Sequence, residues 1–207
     1  AVGRAPAQKP LTDYVNPMLG TATLWDSVDL GFKPTKRTWG AEVFPGSSLP
    51  NAMVQVSPVT KFHSGAGYQY EDSVIYGFTH TNKGHWNLCH IPLLPVTGTP
   101  TPGDYCSPFS HERESAAPGY YQVFLDRYGV DAQLSSTLRC AFHKYTYPAG
   151  AAASLLADLQ RSNEHVRAWD IRKEGDNVFA GWQQTGEKMY FYAVANRPVT
   201  GIEPVVE

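Results

Sequence analysis

Residues 39–95 read WGAEVFPGSSLPNAMVQVSP, then VTKFHSGA, then GYQYEDSVIYGFTHTNKGHWNLCHIPLLP. Short apolar runs alternate with Gly and Pro throughout. Residues 52–57 (AMVQVS) alternate as a strand closed by Pro58, and residues 74–80 (VIYGFTH) read as another. Phe44-Pro45-Gly46 and Leu49-Pro50 punctuate a turn. Residues 91–96 (IPLLPV) are apolar but carry two prolines, which assigns them to an edge strand or an extended segment. The stretch also holds His63, His80, His85 and His90, four of the chain's seven histidines, together with Trp39 and Trp86. Polar and aromatic groups on loops between strands suit a ligand site better than a bare core. The stretch therefore reads as one wall of a sugar-binding pocket.

The pattern extends in both directions. Residues 1–10, AVGRAPAQKP, read as a loose leader, residues 11–20 as a strand end or loop, and residues 21–40 as loop. Residues 97–103 (TGTPTPG) form a loop by composition. Tyr121, Val123 and Leu125 alternate with Gln122, Phe124 and Asp126. A turn follows at residues 127–129, then two strands, or one long bent strand, over 131–138 and 140–147. Residues 151–159 read as a mostly buried strand, with a short helix as the alternative because Ala and Leu favour helix. Residues 166–173 and 178–184 flank Glu174-Gly175-Asp176-Asn177, a hairpin turn. On the second arm Val178, Ala180 and Trp182 share a face, and Trp169 and Trp182 read as core. Residues 189–195 (MYFYAVA) are the last strand. Many short strands and almost no helical periodicity predict an all-β fold, an antiparallel β-sandwich over residues 11–207.

At 207 residues the chain suits one domain with a sizeable core. A net charge of −2 and the lack of any basic run argue against nucleic acid as a partner. No apolar run reaches the ~18–20 residues of a membrane span. The three cysteines, Cys89, Cys106 and Cys140, match no zinc spacing and leave open one bridge or three free thiols.

Inverting glycoside hydrolysis needs two carboxyl groups roughly 6.5–9.5 Å apart, and no convincing pair is visible. Glu42 is the acid flanked by site-like residues. Glu71 and Asp72 read as turn residues, and Glu112 and Glu114, in SHERES, as a surface loop or helix start. His80, His85 and His90, spaced five and five, would fall on alternating faces of a strand, which disfavours a zinc trio. His90 and His143 read as packed or hydrogen-bonded. Sugar contact and a structural role stay equally open for His80 and His85. Trp39 and Trp86 suit stacking on a pyranose. Asn82, Lys83 and Asn87 offer donors to hydroxyl groups.

Tyr14-Val15-Asn16-Pro17, Phe44-Pro45-Gly46, MVQVSP at 53–58 and the run from Gly67-Tyr68 to His80 form an ordered series. It continues through residues 107–130 (SPFSHERESAAPGYYQVFLDRYGV), 134–148 (LSSTLRCAFHKYTYP) and 189–198 (MYFYAVANRP). This series resembles the N-terminal β-sandwich domain of glycoside hydrolase family 92, the calcium-dependent exo-acting α-mannosidases. The resemblance implies removal of terminal α-mannose with inversion, with α-1,2 as the expected linkage. It implies a larger (α/α)6 barrel as the sandwich's partner, carrying both catalytic carboxyl groups and most calcium ligands. It also implies mannose-containing glycans as substrate and a secreted or periplasmic bacterial location. Three segments depart from the family pattern: 37–43 lacks its Gly/His-rich run, 61–65 is shorter, and 81–89 replaces its usual loop.

The expectation is therefore a non-catalytic domain, inactive alone. Its loops at 36–42, 63–67 and 82–89 would complete a mannose pocket through Trp39, Glu42, His63, His80, Asn82, His85 and Trp86. A stand-alone carbohydrate-binding module and a purely structural sandwich are the alternatives.

Overall fold

The structure, a computed structural model, describes residues 9–25, 28, 31–33, 41–84 and 86–205. In chain order its strands are β1 (Ser57–Val59), β2 (Val74–Ile75), β3 (Gly77–Thr79), β4 (Asn82–Lys83), β5 (Trp86–Asn87), β6 (Leu93–Thr97) and β7 (Ser107–Pro108). Then come β8 (Glu114–Ala117), β9 (Tyr120–Leu125), β10 (Val130–Ser136), β11 (Ala141–Thr146), β12 (Ala153–Ala157), β13 (Ala168–Gly175), β14 (Val178–Gln184) and β15 (Lys188–Val194). Short 3-10 turns occupy Leu11–Tyr14 and His111–Arg113. The strands form sheets ordered β1-β3-β6-β12, β11-β10-β9-β8 and β13-β14-β15, with small pairs β2-β7 and β4-β5. The pairings are antiparallel, as in the predicted sandwich. No helix among the described residues is long and apolar enough to cross a membrane.

The period of two decides the core. Tyr121, Val123 and Leu125 on β9 and Val130, Ala132 and Leu134 on β10 all turn inward and are buried. They meet Phe78, Leu94 and Val96 of the opposing sheet. A second, smaller cluster joins Leu93 and Leu159 to Ile171, Met189 and Phe191, seating the inner face of β13–β15 on the other side of the β1-β3-β6-β12 sheet.

Several boundaries differ from expectation. The first strand begins only at Ser57, and Pro58 lies inside it. That is tolerated because β1 is an edge strand. The Phe44-Pro45-Gly46 turn brings the chain so close to Val56 that a Cβ on Gly46 would stand 1.9 Å from the Val56 carbonyl oxygen. Residues 74–80 split into two strands. Val74–Ile75 pairs with Ser107–Pro108, and after Tyr76 the chain switches sheets to pair with β1 and β6. The Pro-containing segment is not an edge: β6 lies between β3 and β12. Its pairing with β3 shrinks to Phe78↔Leu93, so Pro95 lies past the end of that ladder. Residues 131–147 form two strands, β10 and β11. Residues 153–157 are a strand, but at the sheet edge and largely exposed rather than buried. Trp169 is 42% exposed, and Trp182 is half-buried beneath the Lys188 ammonium, 3.5 Å from its ring, so neither is core. All three cysteines are free thiols.

Candidate functional site

Loop 61–67 folds back on itself: Gly67 N–H donates to Ser64 O (3.1 Å), and Thr60 N–H to Gly67 O (2.8 Å). Gly67 has a positive φ of 76°, and a Cβ there would lie 2.7 Å from the Asn87 Nδ2. Only glycine suits both conditions. The β4–β5 hairpin docks onto this loop, with Asn87 N–H donating to Gly65 O at 2.9 Å. The wholly buried Asn87 side chain donates to Ala66 O (3.3 Å) and Thr79 Oγ1 (3.2 Å) and accepts from Cys89 N–H (2.8 Å).

Five described non-glycine residues lie in the left-handed region; apart from Asn51, they stand in or beside these segments: Glu42, His63, Cys89 and Ile91, with φ of 51°, 58°, 53° and 52°. Such backbone costs about 1–3 kcal/mol per residue and collects at functional sites. For a β-branched Ile it is a true outlier. Three of the four donate their N–H to a side-chain amide. His63 donates to Asn163 Oδ1 (2.6 Å), Cys89 to Asn87 Oδ1 (2.8 Å) and Ile91 to Gln183 Oε1 (2.9 Å).

Glu42 joins them from the other side. Its carboxyl carbon would lie 3.3 Å from a Cβ on Gly65. Glu42, Thr21, Ser64, Gly65, Tyr68 and Gln69 line a narrow cleft of about 10 Å³, room for about one water. Tyr68 is held from behind. Its hydroxyl donates to both oxygens of Glu114 at 3.0 Å, and Tyr121 (2.6 Å) and His111 Nδ1 (2.5 Å) share the same carboxylate. Burial, followed by the Glu114 charge, pushes the Tyr68 and Tyr121 hydroxyls far above the usual phenol range, so both remain donors. The Glu114 side chain is 1% exposed, a correction to the surface position read from SHERES. Tyrosines 46 and 7 residues away supply the donors that a buried carboxylate needs.

Trp39 and His85, and residues 36–40 of the first predicted loop, lie outside the described residues. Of the other predicted contacts, the structure brings Glu42 and loop 63–67 together and docks the Asn82–Trp86 hairpin beside them. His63 is exposed, and Asn82 and Trp86 are half-buried. Both amide atoms of Asn82 are buried without a hydrogen-bond partner among the described residues. His80 points elsewhere: its Nε2 faces His143 Nε2 at 3.0 Å, and His143 Nδ1 meets the Tyr145 hydroxyl at 2.7 Å. Burial lowers His80 to about 4, only partly offset by the Ile91 and His90 backbone, and holds His143 well below the usual range. His90 turns the opposite way, to Thr81 (3.0 Å), Thr185 (3.1 Å) and Glu164 (3.3 Å). His80 and His90 thus share no metal site. Among the described residues no group of three or more His, Cys, Asp or Glu side chains is arranged to hold a metal. Asn87, read as a sugar donor, has its amide committed to protein groups.

Tyr68, Gln69, Thr21, Asn163 and Gln183 were not singled out from the sequence. The Gly-Tyr-Gln-Tyr run around Tyr68 is a local signal, whereas Asn163 and Gln183 act on partners 100 and 92 residues away and leave none.

The model of the glycosyl hydrolase family 92 N-terminal domain matches residues 14–206. No curated protein sequence matches the chain. Among solved structures, the family GH92 α-mannosidase BT3965 from Bacteroides thetaiotaomicron is similar at 27% identity and TM-score 0.80. The match covers 93% of this chain and 26% of that one. The GH92 family glycosyl hydrolase ccman5 is 28% identical with TM-score 0.63, over 75% of this chain and 24% of its own. The GH92 inverting mannosidase BT2199 from Bacteroides thetaiotaomicron VPI-5482 shares the fold at 24% identity and TM-score 0.65, over 86% of this chain and 24% of its own. The chain therefore spans about a quarter of the length of these solved relatives. With the domain model matched over nearly its whole length, the chain belongs to glycosyl hydrolase family 92, as its N-terminal domain.

Proposed function

We propose that this chain is the non-catalytic sandwich of a longer, exported α-mannosidase. Its loops at 36–42, 63–67 and 82–89 form one wall of the pocket for a terminal α-mannosyl residue. The observation that carries this reading is the convergence of Glu42, loop 61–67 and the β4–β5 hairpin, the last two joined by side-chain amides, in a domain similar to α-mannosidases. The cleft holds about 10 Å³, far below the few hundred Å³ of a small-molecule pocket. A wall completed by a second domain fits that size better than a self-sufficient carbohydrate-binding module does. Calcium, like the two carboxyl groups of an inverting mechanism, is assigned to the remainder of the longer protein on the strength of the family membership. Trp39, His85 and Trp86 are proposed to contact the sugar beside Glu42, His63 and Asn82, whereas His80, turned toward His143, takes no part in that contact.

Kinetics of the full-length protein on an aryl α-mannoside test this. Glu42→Gln and Trp86→Ala are expected to lower kcat/KM by about tenfold or more, while the isolated 207-residue chain neither turns over the substrate nor binds mannobiose. Unchanged kcat/KM in both variants would leave a purely structural sandwich. Millimolar or tighter binding of mannobiose by the isolated chain would establish the binding-module reading instead.

A further inference from the structure

The segment between β12 and β13 is an anchor for the candidate loops. Asn163 N–H donates to Leu88 O (3.0 Å), and the Ser162 hydroxyl donates to the same carbonyl (2.8 Å). The Asn163 side chain bridges both loops at once: Oδ1 accepts His63 N–H (2.6 Å), and Nδ2 donates to Asn87 O (2.6 Å) and Ser64 O (3.4 Å). The segment is fixed in turn by the wholly buried Gln183 of β14. Its Nε2 donates to Leu159 O (3.0 Å) and Arg161 O (2.9 Å), while its Oε1 accepts from Ile91 N–H. A primary amide accepts from an N–H and donates to a C=O within one rigid plane without carrying charge. Both turns use that combination: the N–H groups of left-handed His63 and Ile91 each donate to a side-chain amide whose nitrogen donates to nearby carbonyls.

We propose that Asn163 is a positioning residue for the sugar-binding wall: it sets loop 61–67 against segment 86–90, and so fixes where His63, Glu42 and Trp86 stand relative to one another. The proposal rests on the mannosidase reading above. Asn163 does not itself touch the sugar. Its loss therefore weakens substrate binding through the loops and leaves the chemical step, performed elsewhere, largely intact.

Asn163→Asp is the sharpest variant. It keeps the acceptor for His63, loses the donor, and sets a carboxylate against the Asn87 and Ser64 carbonyls. Asn163→Ser is the second variant, should the first fail to fold. In the full-length protein, hydrogen exchange of segments 61–67 and 86–91 is expected to quicken about tenfold, with β9 and β10 unchanged. KM for an aryl α-mannoside is expected to rise about tenfold, with kcat within about threefold of wild type. Unchanged exchange in both segments overturns the proposal. So does faster exchange with KM within about twofold of wild type, or a fall in kcat with KM unchanged. Wild-type protein with no turnover of α-mannosides overturns the mannosidase reading, and with it the assignment of the clamped loops to a sugar. The exchange measurement then still reports whether Asn163 clamps the loops.

Discussion

His80 and His143 face each other Nε2 to Nε2 at 3.0 Å, an arrangement that requires one ring to donate and the other to accept. The two rings therefore cannot both be protonated. Phe78 flanks His143, and Tyr145 takes the remaining His143 nitrogen, so no anion compensates a proton there. Burial lowers His80 to about 4, against roughly 6.5 in an unfolded chain, and holds His143 well below its usual value. Between these limits the unfolded state binds more protons than the folded one, so stability is full above about pH 6.5 and falls as pH drops toward 4. For His80 alone the loss is on the order of 3 kcal/mol. Buried His90, whose pKa is also lowered, acts in the same direction. Urea unfolding at a series of pH values should show this acid limb, and the double variant His80→Gln, His143→Gln should flatten most of it. An unchanged limb in the double variant would mean that carboxylates, not this pair, set the acid sensitivity.

Strand β14 shows how an element constrains a residue that looks unremarkable in sequence. Gly181 pairs with Ile171 on one side and Phe191 on the other. A Cβ added there would stand 2.1 Å from the Asp170 carbonyl oxygen and 2.8 Å from the tip of the Phe191 ring. One obstacle is backbone and cannot swing away. Gly181→Ala is expected to destabilise the domain by about 1–3 kcal/mol, whereas Gly186→Ala, with nothing within 4 Å, should stay within about 0.5 kcal/mol of wild type. Equal unfolding midpoints for the two variants would refute the packing argument. Elements with a clean period of two were legible from sequence: β9 and β10 lie between a packed sheet and solvent, so their residues alternate. Residues 91–96 misled because Pro95 has a ladder neighbour on one side only, Leu155 of β12, while β3 does not reach it on the other. The site was legible as loops rather than as contacts. Glycines and histidines mark residues 61–67 and 82–90, but the groups that hold them, Asn163, Gln183 and Glu114, reach their partners through the tertiary fold. SHERES reads as polar surface until Tyr68 and Tyr121 close over Glu114.

At the scale of the molecule, the three-stranded sheet carries apolar side chains on both faces, the outer one polar along β13, where Arg172 pairs with Asp170 and Glu174. Its inner face packs Ile171, Met189 and Phe191 onto the second core cluster. Its outer face presents Tyr190, Tyr192 and Val194 on the edge strand β15, at 71%, 67% and 66% exposure, beside Val178 across the β14 register. Lys188 covers the Trp182 ring, but among the described residues no cation covers the tyrosines beyond its distant approach to Tyr190 at 5.5 Å. Contiguous exposed apolar surface on an edge strand is a template for association, and this chain covers only 26% of a solved relative's length. Sedimentation of the isolated 207-residue chain should therefore reveal self-association at micromolar to millimolar concentrations. Tyr190→Ser with Tyr192→Ser should return it to monomer while changing unfolding stability by no more than about 1 kcal/mol, because both rings point to solvent. In the longer protein the same pair should lower the melting temperature if that face is covered there. A wild-type chain that stays monomeric throughout the concentration range would show that the tyrosines are tolerated as ordinary surface and that the adhesive face lies elsewhere.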